Sequence, residues 1–273
     1  LDGYWYFEEP QTATPSALIS NRELFVLEDN AFRIPIYINN NPTVVFYKDG
    51  EVIASETFSS SIESSEQIKY VSIYGDDVNW DTFQERVIDD NGVYESNLCL
   101  QSFFDNFSIG AVDKITISDS NGIETIKVNV IEECKYEPKK VTFINKFGAL
   151  QDMYFFKKSK ENLSIKKESY KSNIISSFGT YDKTNHVKRD FNVVGKESIS
   201  LSSGYLSEEY NEVFKQLLLS EKVWITNIIE SGEQVLPINV KTSSIAYKTS
   251  VNDKLVDYTI EFDKSFDTIN NIR

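Results

Sequence analysis

The stretch VTFINKFGALQDMYFFKKS, Val141–Ser159, decides how the second half of this chain is read. Val141, Phe143 and the run Met153–Phe156 have the β-branched and aromatic character of sheet residues. Asn145, Lys146, Gly148 and Asp152 interrupt them, and the segment NKFGALQD is either a catalytic or binding loop or a structural turn. Turn chemistry accounts for it: Gly148 permits a positive φ, Asn145 and Asp152 can bond local backbone, and Phe147 and Leu150 would pin the turn to the sheet. We therefore read a structural turn, with MYFFKK as the continuation of the first strand or its hairpin partner.

Downstream, NLSIKKESY, HVKRDFNVVGKESISLS, KVWITNIIE, VLPINVKTSSIAYKTS and LVDYTIEFDKS are further strand candidates. One segment breaks the pattern. Tyr210, Val213, Phe214, Leu217 and Leu218 fall at helical spacing, so a single amphipathic face is expected near 207–220. Ser207 is the expected N-cap, with Glu208 and Glu209 at the positive helix start and Lys222 past the end. Residues 136–273 thus read as a β-sheet or barrel domain of about six strands with one helix laid across it. In the Lys-rich ribbon FFKKSKENLSIKKESYKSN, alternation turns the lysines to solvent while Leu163 and Ile165 pack; edge lysines also discourage stray strand pairing.

Upstream, residues 19–135 read as an acidic β-sandwich of immunoglobulin-like type, from several short strands separated by turn signals. Asp49-Gly50 and Asn121-Gly122 mark hairpins and Asn91-Gly92 a third turn. FRIPIYI (Phe32–Ile38) alternates, and its Pro35 argues for an edge strand. Residues 75–107 look irregular, with a helical turn near Trp80–Val87. Residues 1–18 read as an arm, with Trp5, Tyr6 and Phe7 docking on the chain's own domain or on a neighbouring subunit. The boundary falls at EECKYEPKK, where Pro138 interrupts and the charge changes sign.

That change of sign is large. Up to Glu137 the chain has 25 acidic and 8 basic residues, net −17; from Pro138 on it has 17 and 20, net +3. Such asymmetry favours two domains. The acidic half repels phosphate backbones, which excludes sequence-specific nucleic-acid reading. No run of about 18 apolar residues exists, so no membrane-inserted helix is expected, and no signal peptide is visible at the start.

Chemistry finds little purchase. There is no G-x-S-x-G elbow, and His186, the one histidine, sits in a polar loop, so a nucleophile–histidine site cannot be built. Gly195-Lys196 lacks the earlier glycine of a phosphate loop. Cys99 and Cys134 read as buried free thiols. Asp76, Asp77, Asp81, Asp89 and Asp90 are acidic-loop residues that could gather calcium, but the spacing of a calcium loop is missing. No catalytic residue, cofactor or metal is expected. The candidate site residues are those of an interface: Trp5, Tyr6, Phe7, Phe147 and Leu150, with Val213, Phe214 and Leu217 holding the helix to the sheet. The alternative reading is a carbohydrate-binding or adhesive module at a bacterial or virion surface, stacking sugars on Trp5 or Trp80.

The segments VTFINKFGALQDMYFFKKS, GYLSEEYNEVFKQLLLSEKVWI and VLPINVKTSSIAYKTSVNDKLVDYTIEF together resemble virion structural proteins of tailed phages of gut and marine Bacteroidetes, crAss-like phages included. The resemblance spans about Glu132 to Phe262. It implies a tail, neck or baseplate ring component located in the virion, with a tail-tube or distal-tail type of fold. Its partners would be copies of itself and other virion proteins.

Overall fold

A computed structural model describes residues 15–27, 32–58, 68–73, 84–88, 94–99, 112–173, 175, 179–180, 183–229, 232–246 and 255–269. The fold is mainly β, with several sheets and, among the described residues, a single α-helix.

In the first half the strands are β1 (Glu23–Leu27), β2 (Phe32–Tyr37), β3 (Thr43–Lys48), β4 (Glu51–Thr57) and β5 (Ile68–Ile73). They are followed by β6 (Gln84–Ile88), β7 (Tyr94–Cys99), β8 (Lys114–Asp119) and β9 (Gly122–Ile131). A five-stranded sheet runs β1-β9-β8-β3-β4, and β2 pairs with β5. The β1–β9 pair is parallel and its neighbours are antiparallel. Both sheets send alternate side chains into one core: Phe32, Ile34 and Ile36 from β2 and Val44, Phe46, Ile115, Ile117 and Ile126 from the larger sheet are all buried. Beyond its ladder with β5, β2 meets a single bridge, Ala17 to Ile36, and Leu18 N donates to the Pro35 carbonyl at 2.9 Å. Proline, which has no N–H to give, therefore sits where the second neighbour is not a full strand.

The two hairpins close differently. Asp49 and Gly50 both have positive φ (51° and 85°), the geometry that a tight two-residue connection requires. No atom lies within 4 Å of where a Gly50 Cβ would stand. Gly50→Ala is thus a backbone test only. It is expected to cost about 1–2 kcal/mol, read as a lower urea midpoint at unchanged slope. In the β8–β9 hairpin the loop is Ser120-Asn121, with Asp119 opposite Gly122. Asp119 Oδ1 accepts from the Asn121 and Gly122 amides at 2.7 and 3.0 Å, so the side chain of Asp119 shapes this turn. The expected helical turn near Trp80–Val87 is replaced at its described end by β6, which pairs antiparallel with β7. Pairing with the next strand overrides the helix-forming Glu85 and Arg86 there. The Asn91-Gly92 turn lies outside the described residues.

In the second half the strands are β10 (Lys139–Ile144), β11 (Leu150–Phe155), β12 (Lys160–Lys171), β13 (Lys188–Ser202) and β14 (Leu206–Ser207). After helix α1 (Tyr210–Leu219) come β15 (Val223–Ile229), β16 (Gly232–Val240), β17 (Leu255–Val256), β18 (Thr259–Lys264) and β19 (Thr268–Ile269). The main sheet runs β11-β10-β15-β16-β18-β13-β12, with β19 on β13 as its eighth strand. That is more than the six expected, because Met153–Phe155 of MYFFKK belong to β11, a hairpin partner of β10 and not its continuation, and β19 adds a short clasp. The sheet curls strongly. Phe155 on β11 and Phe262 on β18 meet edge-on at 6.1 Å, and Lys157 N donates to the Ser202 carbonyl at 3.2 Å. A barrel is approached, but among the described residues β11 and β13 share no ladder that would close it.

Helix α1 covers this curl with the face foreseen: Tyr210, Val213, Phe214 and Leu217 are buried. It begins later than expected. Ser207 is not its N-cap, because Leu206 and Ser207 pair as β14 with β17; Glu209 takes that position without a side-chain bond.

Candidate interaction site

The NKFGALQD segment is the turn of the β10–β11 hairpin, in which Ile144 pairs with Leu150. Asn145 organises it. Its Oδ1 accepts from the Phe147 and Ala149 amides at 3.0 and 3.1 Å, its carbonyl accepts from Gly148 N at 3.0 Å, and Gly148 has φ 78°. The Asn145 amide nitrogen points the other way, donating to the Leu18 carbonyl at 2.7 Å and to Gln151 Oε1 at 3.1 Å. Gln151 in turn donates to Asn21 at 3.4 Å, and Leu150 N donates to the Tyr70 hydroxyl at 3.1 Å. Leu18, Asn21 and Tyr70 all belong to the acidic half. The turn is a joint between the two sheet systems, lined by the buried polar side chains Asn21, Asn145 and Gln151.

Next to the joint lies a buried ion pair. Asp152 on β11 has a fully buried side chain and Arg33 on β2 one that is 29% exposed. Arg33 Nε donates to Oδ2 at 2.9 Å and Nη2 to Oδ1 at 2.7 Å, a two-pronged contact. Arg33 N donates to Oδ2 at 3.2 Å and the Thr142 hydroxyl to Oδ1 at 2.7 Å, which satisfies the carboxylate. Burial pushes the Asp152 carboxyl up. The Arg33 charge and hydrogen bonds, helped by Lys140 and Thr142, outweigh that and hold it below the usual carboxylate range. This pair was not anticipated. A lone arginine inside the apolar strand FRIPIYI is the signal that could have revealed it.

The helix makes the third contact. The Tyr210 hydroxyl accepts from Phe25 N at 3.3 Å and its ring meets Phe25 at 5.7 Å; Arg22 N donates to Glu209 at 3.0 Å. Burial raises the Tyr210 hydroxyl pKa, so it stays protonated. Gln216 Nε2 donates to the Ser20 hydroxyl, and Gln216 Oε1 accepts from Lys146 N at 3.3 Å.

On the far side of the second sheet stands the β12–β13 ribbon. All twelve residues of β12 are exposed. β18 pairs with β13 from Ser198 to Ser202 and β19 at Val194 and Gly195, so from Lys167 outward the ribbon has no third strand among the described residues. Leu163 and Ile165, expected to pack, are instead 57% and 59% exposed, because β12 is an edge strand whose side chains are exposed along its whole length. On its distal part Tyr170 and Phe191 meet edge-on at 5.7 Å and remain 48% and 46% exposed.

The other candidates are scattered. Phe147 and Leu150 are half-buried in the joint, with Lys146 Nζ 5.2 Å from the Phe147 ring centroid. Trp5, Tyr6, Phe7, Trp80 and the acidic residues Asp76, Asp77, Asp81, Asp89 and Asp90 lie outside the described residues. Cys134 is an exposed free thiol, not a buried one, because it sits in the stretch between β9 and β10. His186 is exposed in a turn. Among the described residues no group of three or more His, Cys, Asp and Glu could hold a metal, and no helix is long and apolar enough to cross a membrane.

No protein-family model matches the chain and no curated protein matches it. Among solved structures it is similar to a chain of "Tail of empty GTA particle computed with helical refinement, C6 symmetry". That similarity covers 48% of this chain and 94% of the other, at 15% identity and a TM-score of 0.29.

Proposed function

We infer that this chain is a non-enzymatic structural component of a tailed-phage virion, assembling with copies of itself and with other virion proteins in a tail, neck or baseplate ring. The virion setting comes from the sequence resemblance over Glu132–Phe262. The role in assembly comes from the chain's own surface, and one observation carries it. A two-stranded ribbon is marginal by itself in water, yet beyond Lys167 β12–β13 stands out from the sheet with Tyr170 and Phe191 about half exposed, and nearer the sheet Leu163 and Ile165 are more than half exposed. Such a ribbon is stabilised when another surface covers it. The joint has the matching character: buried and hydrogen-bonded, it joins two halves of opposite net charge, so that one subunit can present two different faces. The first half supports an immunoglobulin-like reading, since β9, β8, β3 and β4 share one sheet while β2 and β5 form the other.

The test is the mass of the purified full-length chain by native mass spectrometry. A closed oligomer of one size is expected; a strict monomer at tens of micromolar would reject the reading. Removing Leu1–Phe7 is expected to weaken assembly while leaving the circular dichroism spectrum and melting temperature of the remaining chain unchanged.

A further inference from the structure

The self-assembly reading leaves open which surfaces meet, and two exposed sheet edges, one on each large sheet, offer an answer. We propose that β12 of one copy docks along β4 of the next, joining the basic ribbon of one subunit to the acidic outer strand of another.

The five-stranded sheet ends at β4 and the eight-stranded sheet ends at β12; among the described residues neither outer edge is paired. Each edge carries exposed apolar side chains: Val52 at 59% on β4, and Leu163 and Ile165 on β12. Their charges differ in balance. β4 itself holds Glu51 and Glu56 with no basic residue, and its turn adds Asp49, while Lys48 of β3 stands opposite Glu51 and the Lys69 charge acts on Glu56. The ribbon residues 160–171 and 188–194 hold six basic and three acidic side chains. Of the basic ones, Lys166, Lys171 and Arg189 make no ion pair with the described residues, whereas Lys167 is taken by Asp190 at 2.7 Å. At about 3.3 Å per residue, β12 is roughly 40 Å long and can span all of β4.

The same charges select the partner. Two β12 edges brought together set lysine against lysine, and two β4 edges set glutamate against glutamate; both like pairings are opposed. Only the mixed pairing is attractive, and it steers encounter as well. Because β12 and β4 are different edges on different sheets, the contact is heterologous. A subunit that has given its β12 still offers β4, so the contact propagates and closes into a ring where the rotation allows.

The test is a charge swap in the full chain, followed by sedimentation velocity and native mass spectrometry at low salt. The first variant is Lys166→Glu with Lys171→Glu and the second is Glu51→Lys with Glu56→Lys; Glu51→Lys alone serves if half-buried Glu56 proves necessary for folding. Each variant alone is expected to dissociate, with self-association weakened about tenfold or more, and an equimolar mixture is expected to reassemble. A wild-type oligomer that either variant reproduces would overturn the β12–β4 contact while leaving the ring reading intact. Variants that dissociate but fail to reassemble when mixed would also overturn it. A monomeric wild type would remove both. If the wild type captures a duplex DNA oligonucleotide and the first variant loses only that, the ribbon is a phosphate-binding surface and the proposal is wrong.

Discussion

Replacing Asp152 with alanine is expected to destabilise the folded chain by about 3–5 kcal/mol, the usual consequence of removing one member of a buried ion pair. The loss comes less from the missing attraction than from what remains. Arg33 keeps its charge in a largely dry site, and Thr142 loses its acceptor. Because Arg33 lies on β2 and Asp152 on β11, the damage falls on the joint between the halves. Urea unfolding followed by tryptophan fluorescence should show a lower midpoint. Equal loss in the Arg33→Ala chain, and little further loss in the double variant, would identify the pair as one unit. The pH dependence has a definite sign. The folded carboxyl is held below its ordinary value, so its contribution is complete above the unfolded pKa of about 3.9. It fades as pH falls through the lower folded value. The gap between wild type and Asp152→Asn should therefore be widest near neutrality and shrink below about pH 4. A gap that stays constant to pH 2 would mean that the pair contributes nothing through its charge.

Phe214→Ala should cost a similar amount, about 3–5 kcal/mol, from lost burial plus the cavity left behind. Phe214 is fully buried, meets Tyr258 at 4.8 Å and Phe155 at 6.4 Å, and seats α1 on the curled sheet. Phe214→Leu, which keeps much of the volume, should lose only about 1–2 kcal/mol. Hydrogen exchange distinguishes this from the Asp152 effect. The amides of α1 should lose protection first in Phe214→Ala, and those of β2 and β11 in Asp152→Ala. If α1 keeps wild-type protection in Phe214→Ala, the ring is not what holds the helix.

Elements governed by local chemistry could be read from the sequence. The apolar face of α1 repeats at helical spacing, and Asp49-Gly50 supplies the two positive φ values of its turn. Asn145 is a turn former, as its residue type suggests, yet one of its side-chain bonds goes to Leu18, 127 residues away. Asp152 looked like another turn residue and is a strand residue whose partner is 119 positions distant. Nothing in a local window distinguishes those cases. Ser207 has ideal capping chemistry, but its backbone is claimed by β17. Leu163 and Ile165 alternate as packed residues do, because alternation reports a strand and not what covers its face. Trp5, Tyr6 and Phe7 were chosen for aromatic character alone and lie outside the described residues.

The parallel pairing of β1 with β9 has a consequence for biosynthesis. Glu23–Leu27 finds its register on Lys127–Ile131, about a hundred residues later. During synthesis β1 must therefore wait, unzipped, until that late segment has left the ribosome. Contacts of such high sequence separation are slow to form, so the emerging chain passes through a long vulnerable interval in which chaperones or early neighbours can decide its fate.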